Sequence, residues 1–60
     1  MNHLAYFARQ AIAAAIENYR FEVAYLHEFC DSESSIEAQQ YEVDLAHRNL
    51  MAVIDKALGI

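Results

Sequence analysis

From residue 1 to residue 58 the chain has no proline and no glycine; its only glycine is Gly59. Proline and glycine are the residues that most readily end a helix, so nothing here forces a break except local turn chemistry. One stretch has that chemistry: "CDSESS", Cys30 to Ser35. Asp and Ser side chains bond to nearby backbone groups and favour caps and turns. Ser34 stands three residues before Glu37, the spacing of a capping box. Asn2 can cap a first helix. At the far end Lys56 suits a last turn, Gly59 suits a left-handed terminus, and Ile60 follows as a hydrophobic cap. The expectation is helix 1 over about 3–29, a turn over 30–34 and helix 2 over about 35–58. Helices of matched length joined by a short turn make an antiparallel two-helix hairpin. The fold class is all-α, and residues 1–60 form a single domain.

Helix 2 carries one readable seam. Ile36, Gln39, Val43, Ala46, Leu50, Val53 and Ala57 alternate by threes and fours, with Ile54 beside them. That is a heptad stripe with one polar member. Helix 1 is apolar over a wider arc. Leu4, Ala8, Ala11, Ile12, Ala15, Tyr19, Val23, Leu26 and Cys30 form one stripe, and Phe7, Ala14, Phe21 and Tyr25 form another beside it. One partner helix cannot cover both.

Size sharpens the problem. Ordering 60 residues costs on the order of 1.5 kcal/mol each. Chains this short usually offset that cost with disulfides, a metal or a partner. Cys30 is the sole cysteine, which excludes an internal disulfide and a zinc-finger quartet. Association remains, and 57% hydrophobic residues supports it. The expected assembly is a homodimer closing a four-helix bundle. A hairpin dimer of this layout resembles the Rop family of plasmid-copy-number proteins.

The formal charge of −5 argues against nucleic acid and against anionic membrane surfaces. A single thiol fits a reducing compartment. No secretory signal is visible, and Arg9, Glu17, Arg20 and Glu22 interrupt the first apolar run. The expected location is cytoplasmic, with no membrane partner.

Chemistry-bearing sets are few. Cys30 ends helix 1 among Glu28, Asp31 and Glu33. Negative neighbours at a helix C-terminus disfavour a thiolate, so Cys30 reads as structural. Glu22 falls inside the apolar arc, where a carboxylate needs a partner. An ion pair with His47 or Arg48 is the simplest reading. A sharper one adds Asp44 and His47, three residues apart on helix 2 and level with Glu22 across a hairpin. Doubled by a two-fold axis, Glu22, Asp44 and His47 resemble the Glu plus Glu-x-x-His layout of ferritin-like di-iron bundles, with Asp44 standing where Glu is expected. The Rop-like layout implies RNA binding as another alternative. Asn2, Arg9, Arg20 and His27 share one face of helix 1, though Glu17 dilutes it. The acidic turn, with Glu28, Asp31, Glu33 and Glu37, lacks the residue order of a calcium loop and reads as solubilising.

No catalytic set emerges, and no cofactor is expected. The surplus apolar surface favours an interaction protein over an enzyme: a hairpin homodimer that binds and modulates another protein, by analogy with bacterial or phage-encoded inhibitors of host factors. The expected surface, shared between dimer and partner, combines Phe7, Phe21 and Tyr25 with Tyr41 and Leu45.

Overall fold

The computed structural model describes residues 3–59, with side chains from Ala5 onward. Helix α1 spans His3–Phe29 and helix α2 spans Glu33–Leu58. Only residues 30–32 connect them, a link short enough to make the helices antiparallel neighbours. The pair forms a flat slab with Cα extents of 48 × 19 × 8 Å. Each helix is about 40 Å long at 1.5 Å per residue, so the long axis is one helix length plus the turn.

α2 begins two residues earlier than the Ser34–Glu37 spacing predicts. Ser32 is the N-cap. Its Oγ accepts from the Ser35 N–H at 3.2 Å, and its own N–H donates to Ser35 Oγ at 3.1 Å. The Ser35 hydroxyl also donates to the Ser32 carbonyl at 3.0 Å. A serine thus takes the place usually held by Glu or Gln in a capping box. The far end matches expectation: Gly59 is left-handed, with φ 76°, and its N–H reaches the Asp55 and Lys56 carbonyls. The caps read for Asn2 and Ile60, and the side chain of Leu4, lie outside the described residues.

The seam between the helices is thin. Ala15, Val43 and Ala46 are buried, and so is Gln39. Ala8, Ile12, Tyr19, Glu22, Val23 and Leu26 of α1 are half-buried, as are Leu50, Val53 and Ile54 of α2. Ala11, read into the α1 seam, is exposed, and Glu22 stands in the seam instead. The α1 seam therefore follows Ala8, Ile12, Ala15, Tyr19, Glu22 and Leu26. On α2, Ile36 and Ala57 at the seam's ends are exposed. No large side chain is fully buried among the described residues.

Candidate functional site

The aromatic side chains gather where the hairpin leaves them uncovered. Phe7, Phe21 and Phe29 are 65%, 64% and 66% exposed, and Tyr25 is 43% exposed. At about 100° per residue these four fall on one strip of α1, roughly a quarter-turn from the seam that faces α2. Phe21, Tyr25 and Phe29, spaced by four, form a ladder with ring centroids 6.3 Å and 5.2 Å apart. Such pairs stabilise an isolated helix only slightly. Tyr6 meets Phe7 edge-on at 5.7 Å.

The strip borders two open clefts. Near the chain ends, Phe7, Ala8 and Ala11 face Val53, Lys56 and Ala57 across a cleft of about 320 Å³. Near the turn, Tyr25, Phe29 and Cys30 face Ser35, Ala38, Gln39 and Glu42 across one of about 300 Å³. Because Phe7, Ala11, Tyr25 and Phe29 share the strip, both clefts open on the same side of the slab. The result is one face running the length of the hairpin, aromatic along α1 and mixed along α2, where Ser35, Glu42 and Lys56 line it.

The expected surface draws on both helices. Phe7, Phe21 and Tyr25 lie together on this face. Tyr41 and Leu45, 61% and 39% exposed, lie on α2 off its seam. Phe29 belongs to the aromatic strip and was not among the expected residues, although its position four residues after Tyr25 signals it. Cys30 is half-buried beside the turn with a free thiol.

Glu22, Asp44 and His47 do not converge. Gln39 Nε2 donates to Glu22 Oε1 at 2.8 Å and to the Glu22 carbonyl at 2.9 Å. The seam's polar member is therefore the carboxylate's partner, in place of the expected His47 or Arg48. The Gln39 side chain satisfies the half-buried carboxylate from within the seam, where its burial is greatest. Asp44 accepts from Gln40 Nε2 at 3.2 Å, one turn earlier on the same helix. His47 lies against the Tyr19 ring at 5.9 Å. Among the described residues no group of three or more His, Cys, Asp or Glu side chains could hold a metal. Arg9, Arg20 and His27 are exposed on the other flank of α1, away from the aromatic strip. No helix among the described residues is long and apolar enough to cross a membrane.

Comparison with protein-family models, with curated protein sequences and with solved structures gives no match for this chain.

Proposed function

We propose that the chain is a protein-protein interaction module: a hairpin that pairs with itself into a four-helix bundle and, as a cytoplasmic homodimer, binds and inhibits another cellular protein. One observation carries the reading, the amount of surface left bare. A folded monomer of 6.9 kDa exposes about 4,000 Å² by the general scaling of surface with mass. This chain exposes 4910 Å². The excess, about 900 Å², is close to the roughly 800 Å² that each partner gives up in a stable interface. Much of it is aromatic. Four rings of about 200 Å² each, 43–66% exposed, are equivalent to about half of it. Contiguous apolar patches beyond a few hundred Å² mark interaction sites.

The exposed α2 surface that carries Tyr41 and Leu45 is the one for the second protein. Two measurements test the reading. Sedimentation equilibrium at micromolar concentration should give twice the 6.9 kDa chain mass. A tagged homodimer should then retain a protein from its native cell that a Tyr41→Glu, Leu45→Glu dimer does not. A monomeric mass removes the first half of the proposal, and equal retention by both dimers removes the second.

A further inference from the structure

We propose that the second copy packs on the aromatic strip of α1, α1 against α1 and antiparallel, with Asn18 at the two-fold axis and the two turns at opposite ends. This rests on the homodimer reading and specifies its interface.

The spacing of α1 is the first support. The residues facing α2 run Ala8, Ile12, Ala15, Tyr19, Glu22 and Leu26. The bare strip runs Phe7, Ala11, Ala14, Asn18, Phe21 and Tyr25, the same heptad displaced by one residue. One residue is about 100° of rotation, close to the right angle between the two neighbours of any helix in a four-helix bundle. α1 therefore carries two complete seams set for two partners, and α2 fills one of them.

Side-chain size selects the direction. Beyond Phe7 the strip passes from small residues (Ala11, Ala14) to large ones (Phe21, Tyr25), with Asn18 between them. An antiparallel two-fold through Asn18 sets Ala11 level with the partner copy's Tyr25 and Phe7 level with its Phe29, and brings Ala14 within one residue, about 1.5 Å along the axis, of its Phe21. Large then meets small throughout the middle of the interface, as close packing requires. A parallel pairing sets Phe21 on Phe21 and Tyr25 on Tyr25, and leaves a void at the paired alanines. Asn18 meeting its own copy places one polar pair in an otherwise apolar seam, a device that fixes register.

Charge agrees. The turn region holds Glu28, Asp31, Glu33 and Glu37. A dimer with its turns together brings eight carboxylates to one end. With turns apart, Lys56, which lines the cleft beside Phe7 and Ala11, lies near the partner copy's acidic turn.

The test uses full-length protein in a Cys30→Ser background, with Asn18→Cys, Ala11→Cys or Tyr25→Cys added singly. Asn18 is exposed in the hairpin, so the substitution leaves the fold intact, as circular dichroism will show. Under copper-phenanthroline oxidation Asn18→Cys should become a covalent dimer while Ala11→Cys and Tyr25→Cys stay uncrosslinked. Phe21→Glu should weaken dimerisation at least about thirty-fold, as loss of a central aromatic anchor does, and Tyr41→Glu should leave it unchanged. Dimers that crosslink through position 11 or 25 equally well, or not at position 18, overturn the proposed interface while leaving the homodimer intact. A wild-type chain that sediments as a monomer overturns both.

Discussion

Gln39 is the one polar side chain among the most buried described residues, at 8% exposure. Its amide gives both hydrogens to Glu22, one to the carboxylate and one to the main chain. Gln39→Leu keeps the volume but leaves the Glu22 oxygen half-buried without its donor, which should cost about 1–3 kcal/mol in urea denaturation. Adding Glu22→Leu removes the orphaned acceptor as well, and the double variant should recover most of that loss. A Glu22→Leu effect that is the same in wild type and in Gln39→Leu would show that the two side chains are not coupled. His47→Ala should cost less, within about 1 kcal/mol, because the contact it removes is a tilted ring pair with Tyr19. The sequence marked Glu22 as a carboxylate needing a partner, and that need was legible from its place in the apolar arc. Which partner it finds was not. His47 offers the more obvious charge, but its ring goes to Tyr19, while Gln39 is the polar group already inside the seam.

Both helix limits follow from where backbone groups lose their intrahelical partners. The span of α1 and the end of α2 were legible because nothing breaks the chain before Gly59 and only the Asp/Ser cluster interrupts the apolar pattern. The start of α2 was not, because three serines compete for one cap and the reciprocal partner is Ser35 rather than an acid. Ser32→Ala should therefore cost about 1 kcal/mol, a melting shift of about 4–8 °C for a domain this small. Ser34→Ala should leave the melt within about 0.5 kcal/mol of wild type, as surface changes do. The reverse order would return the cap to Ser34. At Gly59 nothing lies within 4 Å of an added Cβ, so Gly59→Ala meets only the strain of φ 76°. It should destabilise by about 1 kcal/mol, measurable by the same melt. The α1 strip was legible as periodicity, and so was the place of Tyr41 and Leu45 off the α2 seam.

At the scale of the whole molecule, two helices make a single layer, and a single layer has no interior. Ala15, Val43 and Ala46 are the whole of the buried apolar set among the described residues, too little to offset the entropy of ordering 60 residues. On the proposed pairing, folding and association are one reaction, in which two unfolded chains become one bundle. Mass action makes the melting temperature of such a system depend on concentration, and a folded monomer shows no such dependence. Each tenfold rise in concentration adds about 1.4 kcal/mol to the stability of the dimer. Two chains of 60 residues together carry an unfolding entropy near 250 cal/mol/K at about 2.1 cal/mol/K per residue. The melting temperature should accordingly rise by about 5 °C per decade of protein concentration. Circular dichroism melts from the low micromolar range to a hundredfold higher would show it as a rise of about 10 °C in a single cooperative transition. Phe21→Glu, which places a carboxylate in the second seam, should lower the whole series. Ala15→Glu, which places one in the first, should abolish the transition, because an unpaired charge cannot be held where the two helices meet. A melting temperature that stays constant across the range, with the transition still cooperative, would mean that the lone hairpin folds on its thin seam, and that its aromatic face is kept bare for something other than its own copy.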